Sequence, residues 1–214
     1  MRRSVAMRGG PIVLASTSEA RRRLLAQIVP EFVAISPTCD EHAIQGADAG
    51  ETALLRAFAK AESVRASFPG GWVIGSDQVV DLDGAILGKP GTPDRACAQL
   101  AQLAGRTHRL LTSVVLLGPD SREQHLAQHR LTVRPLTHRE IAEYVALDRP
   151  EGCAGSYRFE SHGAALMSTV LGGDRSAIQG LPLRALSAML ARSRGGLRVG
   201  SASRITATEN VRSR

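Results

Sequence analysis

The segment Trp72-Val73-Ile74-Gly75 runs without a break into Ser76-Asp77-Gln78. A short apolar run of this kind reads as a buried strand, so the chain has to build a sheet around it. A carboxylate delivered by such a strand is costly to place unless it is paired, hydrogen-bonded or bound to a metal. Asp77 is expected where the strand ends. It is either a turn-forming residue capping neighbouring backbone or a working acid, and the residues alone leave both readings open.

Elements on either side supply partners for that strand. Ile12-Val13-Leu14-Ala15 reads as a strand, and Ser18 offers an N-cap for a helix carrying Leu24, Leu25 and Ile28. Phe32 to Ile35 reads as a second strand, followed by a polar loop from Ser36 to Gly50. From Glu51 to Phe68, the set Leu54, Ala57, Phe58, Ala61 and Val64 keeps helical spacing and predicts Arg56 and Lys60 together on a different face. Val79 to Leu87 reads as a hairpin-like excursion turning at Asp83-Gly84. Thr92-Pro93 opens a helix stopping near Gly105, and two strands, about Thr107 to Leu117 and Gln124 to Val133, are expected to pair antiparallel. Thr137 to Glu140 has the form of a capping box, and Pro182 opens a last helix through Leu190.

Length and charge narrow the function classes. A chain of 214 residues falls in the range of one domain with a proper core. No stretch approaches the roughly 18 apolar residues of a membrane span, and Met1 to Arg8 lacks an apolar region of secretory type, so a cytoplasmic location is expected. Cys39, Cys97 and Cys153 are widely spaced and form no C-x-x-C pair, which suggests neither a disulfide framework nor a zinc site. The net charge of +7 invites a nucleic-acid reading, yet much of the excess lies at the two ends and aromatics are too few, at 3%, for stacking platforms. A small anionic substrate accounts for the interior basic residues at least as well.

Four constellations carry possible chemistry. Ser16 to Arg23 gathers hydroxyls and arginines around a helix start, where free N–H groups attract phosphate; a capped helix with a solvated basic face is the plainer alternative. Asp77 is the second, with Asp40-Glu41 as an acidic pair that could hold Mg²⁺. Gly84 to Pro90 mimics a phosphate loop, but the glycines are one residue too close and Pro90 stands where a metal-ligating hydroxyl belongs, so a Walker site is rejected while Lys89 stays a candidate cation. Glu151 to Glu160 contains Cys153 and Ser156, neither in a pattern that supports nucleophilic catalysis.

Three blocks in register carry a resemblance. Leu14-Ala15-Ser16-Thr17-Ser18 with Arg21-Arg22 and Leu24-Leu25 forms the first, and Ser76-Asp77-Gln78-Val79 with Gly88-Lys89-Pro90 the second. Cys153-Ala154-Gly155-Ser156-Tyr157 with Glu160 and Gly180-Leu181-Pro182 forms the third. Together they resemble the Maf family of nucleotide pyrophosphatases along nearly all of residues 12–192.

The resemblance implies an α/β, Maf/ITPase-like fold: an elongated central mixed β-sheet flanked by helices, with two lobes around a cleft. It implies a hydrolase acting on acid anhydrides, which cuts a nucleoside triphosphate to the monophosphate and diphosphate with a divalent cation, Mg²⁺ or Mn²⁺. Asp77 falls on the catalytic acid. Ser16, Arg21, Arg22, Lys60 and Lys89 match polar and cationic positions for the phosphates, and Asp40, Glu41 and Asp77 the positions near the metal. Ala20, Gln78 and Glu160 fall on positions where family branches differ, and the chain resembles the branch preferring 7-methyl-GTP in a house-cleaning role.

The alternatives are the dTTP and UTP branch, or a basic, nucleic-acid-associated regulator linked to cell division. The expected domain plan is a flexible extension at 1–10, a single catalytic domain at 11–192 and a disordered basic tail at 193–214. The expected partner is a nucleoside triphosphate, with neither membrane nor nucleic acid, and a homodimer stays open.

Overall fold

A computed structural model describes residues 10–193. Apart from Gly10 and Ser193 at its limits, the expected N-terminal extension and basic tail lie outside the described residues.

The chain runs through β1 (Ile12–Ala15), α1 (Glu19–Ala26), β2 (Val33–Ile35), α2 (Ala49–Arg65), β3 (Trp72–Leu82), β4 (Ala85–Leu87) and α3 (Pro93–Leu103). It continues through β5 (Thr107–Leu117), β6 (Arg122–Val133), α4 (His138–Asp148), β7 (Met167–Leu171), α5 (Arg175–Ile178) and α6 (Leu183–Ser193). The strands form one seven-stranded mixed sheet in the order β2-β1-β3-β5-β6-β7, with β4 paired to β3. Expected caps are in place: Ser18 accepts from the Arg21 amide, Pro93 follows the Thr92 cap, and Thr137 and Glu140 close a capping box.

β3 is the hinge of this sheet. Its first residues pair parallel with β1, from Ile12 opposite Trp72 to Leu14 opposite Ile74. From Val73 to Asp81 it pairs antiparallel with β5, Asp77 facing Ser113 and Gln78 facing Thr112. The expectation that Asp77 ends a strand is therefore corrected. The carboxylate sits in mid-strand, just past the point where the parallel partner stops. β5 pairing carries the strand on to Asp81 and β4 pairing to Leu82, so the polar triplet does not break it.

Period-two alternation sorts the apolar residues onto two faces. Ile12, Leu14, Trp72, Ile74, Val114 and Leu116 pack under α1 and α6, whereas Val13, Ala15, Val73, Val115 and Leu117 pack under α2. A separate cluster joins Val80, Leu82, Leu110, Leu131 and Val133 to α3 and α4 at the other end of the sheet. The two ends form the two lobes. No helix among the described residues is long and apolar enough to cross a membrane.

Helix α2 presses on β3 through small residues. Ala53, Ala57 and Ala61 are fully buried, and a Cβ on Gly75 would lie 2.0 Å from the Ala57 carbonyl oxygen. Lys60 shares this buried face at 6% exposure, while Arg56 donates from Nε to the Ile44 carbonyl at 3.0 Å. The expectation that Lys60 lies with Arg56 on a face apart from the apolar set is thus corrected: the alanines bring the helix axis so close that a long side chain beside them reaches into the sheet. β7 and α5 were not foreseen. Four residues are too few to show a helical period, and β7 is an edge strand whose side chains are largely exposed.

His108 is 1% exposed on β5, with Nε2 2.9 Å from the Tyr157 hydroxyl. Burial lowers its pKa to about 4. The unfolded chain binds a proton below pH ~6.5 that the folded chain refuses until near 4, so stability is full above ~6.5 and falls toward 4. The urea midpoint of the wild type is expected to drop faster than that of His108→Gln across this window. Parallel pH profiles would show that His108 does not carry the acid sensitivity.

Candidate active site

One cavity of about 560 Å³ gathers residues from both lobes. Its walls come from the turn after β1, the loop between β2 and α2, the middle of β3, Lys89, the segment around Cys153 to Glu160, and Ile178 to Gly180.

At its floor lies a chain of alternating charges. Lys60 Nζ donates to Asp77 Oδ1 at 2.6 Å and also contacts Glu41, whose other oxygen lies 3.0 Å from Lys89 Nζ. Ser113, opposite Asp77 on β5, donates from Oγ to the Ala53 carbonyl at 2.6 Å and ties α2 to the sheet beneath this chain. Asp77 Oδ2 is buried and has no hydrogen-bond partner among the described residues. An unpaired buried carboxylate oxygen is costly, which marks Oδ2 as the atom with capacity for a proton or a cation.

Burial pushes the Glu41 carboxyl upward, but the bonds from Lys60 and Lys89 outweigh it and hold the pKa at about 2. A depressed carboxylate stabilises the fold above its unfolded pKa of ~4.5, and that contribution is lost as pH falls toward 2. Glu41→Gln is expected to flatten the stability profile between pH 4.5 and 2 while leaving the His108 window above it. Denaturant midpoints across pH 2–5 check this, and an unchanged slope would contradict the assignment.

Arg21 forms the other cationic wall. Its Nε donates to the Gly180 carbonyl at 2.9 Å and its guanidinium reaches Ser16 Oγ at 3.5 Å. Burial lowers its pKa, with Asp77 and Glu41 acting against that; a guanidinium stays charged regardless. Ser76 Oγ lies 3.0 Å from the same Gly180 carbonyl and 2.7 Å from that of Ser113, tying the C-terminal turn to β3.

The sequence-derived candidates separate cleanly. Ser16, Ala20, Arg21, Asp40, Glu41, Lys60, Asp77, Gln78, Lys89 and Glu160 all line the cavity, and Arg22 does not. One residue of helix turns a side chain by about 100°, so with Arg21 pointing in, Arg22 points to solvent. Asp40 lines the wall but accepts from the His42 amide at 3.0 Å, capping its own loop. Among the described residues no group of three His, Cys, Asp or Glu side chains is set to hold a metal; Asp40, Glu41 and Asp77 line one cavity without converging as a trio. Two carboxylates, Glu41 and Asp77, remain. That set fits a Mg²⁺-type ion, which takes one or two carboxylates and completes its shell with substrate phosphate and water.

Several residues of the site were missed from sequence. The Gly180 carbonyl, Thr112 behind Gln78, and the Tyr157 and Phe159 rings take part through backbone or long-range packing that spacing does not encode. Nucleophilic readings find no support. Burial, then Glu160, pushes the Cys153 thiol up, and Ser156 Oγ donates to Gln99 at 2.5 Å. Ser161, His162 and Asp148 do meet, but serine and imidazole Nδ1 both bond the same Asp148 oxygen, at 2.6 and 2.9 Å. A relay needs serine on the opposite ring nitrogen.

A family model described as "Maf-like protein" matches residues 11–193. A relative from Xanthomonas campestris pv. campestris, named 7-methyl-GTP pyrophosphatase, is 44% identical over 180 residues, 84% of this chain and 94% of that one. Proteins of the same name from Polaromonas sp. and Pseudomonas aeruginosa are 43% and 41% identical, covering 81% and 84% of this chain and 80% and 94% of their own lengths. Among solved structures, that of the Staphylococcus aureus Ham1 protein aligns with a TM-score of 0.49 at 17% identity, over 86% of this chain and 99% of that one.

Proposed function

Because the chain belongs to the Maf family, we propose that its cavity cleaves a nucleoside triphosphate between the α- and β-phosphates, with 7-methyl-GTP as preferred substrate. The observation that carries the reaction is the free Oδ2 of Asp77, set beside a row of cations that can take a polyphosphate.

Water attacks the α-phosphorus, and Asp77 Oδ2 accepts its proton as the new P–O bond forms. The bond from the α-phosphorus to the bridging oxygen breaks, and the diphosphate departs with the electron pair. Lys60 holds Oδ1 and so aims Oδ2. Arg21 and Lys89 offset charge growing on the leaving diphosphate, an effect strengthened where water is excluded. Glu41 keeps both lysines apart and in place through its two oxygens. Glu41 and Asp77 are the side chains that would hold Mg²⁺ or Mn²⁺, which would supply charge compensation for the phosphates.

Substrate choice is supported by the names of the curated relatives and by Glu160 and Gln78 lining the same cavity. 7-Methylation leaves guanine cationic, and a carboxylate wall suits a cationic ring. A cytosolic nucleotide-cleansing role belongs to this proposal. Diphosphate release, followed over a panel of ordinary and modified triphosphates with Mg²⁺ or Mn²⁺, tests it. Fastest turnover of 7-methyl-GTP is expected; preference for dTTP or UTP would move the chain to the other branch, and inertness toward all would sink the reading.

A further inference from the structure

A second, smaller cavity of about 280 Å³ lies against the first. Glu41, His42, Asp77, Gln78, Lys89 and Ala154 line both, so these six residues form the partition between them. Beyond the partition the wall is made by Gln45, Arg56 and the end of the β3–β4 hairpin at Ile86 to Gly88. Gln45, Ile86 and Gly88 are exposed, so a group that passes Lys89 meets a solvent-facing mouth rather than a closed end.

Positive charge continues across the partition. Lys60 lines only the larger cavity, Lys89 lines both, and Arg56 lines only the smaller. Asp77 and Glu41 hold Lys60, and Glu41 holds Lys89. Arg56 has no carboxylate partner among the described residues. It donates from Nε to the Ile44 carbonyl at 3.0 Å, which fixes the stem and leaves both terminal nitrogens unspent. A guanidinium with those N–H groups free is matched to phosphate oxygens.

We infer that the smaller cavity receives the diphosphate end of the substrate, with Arg56 as the cation that holds it, and that its mouth admits triphosphates whose terminal phosphate carries a substituent. This rests on the pyrophosphatase reading above and widens its substrate class to γ-esters. The bond chemistry is unchanged. Water adds to the α-phosphorus and gives its proton to Asp77, the bond from that phosphorus to the bridging oxygen breaks, and the esterified diphosphate departs with the electron pair. An ester group beyond Arg56 touches neither the attacking water nor Asp77.

The test sets the γ-phenyl ester of 7-methyl-GTP beside 7-methyl-GTP itself, with release of 7-methyl-GMP and of phenyl diphosphate or diphosphate followed by chromatography. The wild type is expected to cleave the ester with kcat/KM within about tenfold of the parent, since one charge-assisted bond at most is given up. Product inhibition isolates the new site. Arg56→Gln is expected to weaken inhibition by diphosphate about tenfold or more, as loss of a bond from a charged donor does, and to leave inhibition by 7-methyl-GMP unchanged. Gly88→Leu, whose Cβ meets nothing within 4 Å, grows a side chain at the mouth and is expected to cut the ester-to-parent ratio about fivefold or more. An ester cleaved more than about 100-fold slower than the parent overturns the open mouth, as does a Gly88→Leu ratio equal to that of the wild type. An Arg56→Gln enzyme, folded by thermal melt, whose two inhibition constants stay put or move together overturns the diphosphate site, because a merely structural arginine would not separate them. A wild type that cleaves neither triphosphate fails at the earlier reading instead, so the two failures are distinguishable.

Discussion

Asp77→Asn is expected to lower kcat by about 10²- to 10⁴-fold, the range a positioned general base contributes, with KM unchanged or lower. The asparagine oxygen can still accept from Lys60, so the 2.6 Å contact that aims the side chain survives. What is lost is the oxygen at Oδ2, replaced by an amide nitrogen that cannot take a proton. Loss of one negative charge beside Arg21 and Lys60 leaves the polyphosphate site more cationic, which is why KM does not rise. Steady-state kinetics on 7-methyl-GTP separate the two parameters. A kcat within about threefold of the wild type would remove Asp77 from the chemistry, and a raised KM with intact kcat would make it a binding residue instead.

Gly75→Ala carries the largest expected loss of stability. The new Cβ would lie 2.0 Å from the Ala57 carbonyl and 3.0 Å from both the amide and Cβ of Ala61. All three groups in that contact are α2 backbone or an alanine Cβ, so no rotamer change relieves it. The helix has to withdraw from the sheet, and Lys60, which rides on it, withdraws from Asp77. Overpacking of this kind costs about 3 kcal/mol, and a domain of this size loses about 6–12 °C in Tm for it. Gly88→Ala, whose Cβ would meet nothing within 4 Å, is the control and is expected to stay within about 0.5 kcal/mol. Thermal unfolding of both variants decides; a Gly75→Ala protein melting within about 2 °C of the wild type would contradict the close packing.

What the sequence made legible follows physical lines. Short apolar runs and capping patterns are local, and they located β1, β3, β5, β6 and the starts of α3 and α4. Asp77, Lys89 and Arg21 were named because charged residues near apolar strands are conspicuous, and because three blocks in register tied them together. Lys60 was placed on the wrong face since a stripe of alanines carries little hydrophobic signal, although it is what lets α2 come near. Gly180 and Thr112 were illegible as site residues. One acts through a carbonyl that every residue possesses, and the other through a hydroxyl whose partners lie 34 and 65 positions away.

The Gly180 carbonyl has one more implication, for the nascent chain. Its bond from Ser76 spans 104 residues, and at ~5–20 residues per second translation takes about 5–20 s to cover that distance. During this interval Leu14 and Ile74 wait for the cover that Leu181, Leu186 and Leu190 provide. A ribosome that stalls, or a message that ends early, releases a chain with its polyphosphate floor half built and one apolar face of its sheet bare. Such a product is suited to aggregation and proteolysis rather than to partial activity, because one segment closes both the apolar face and the polyphosphate floor.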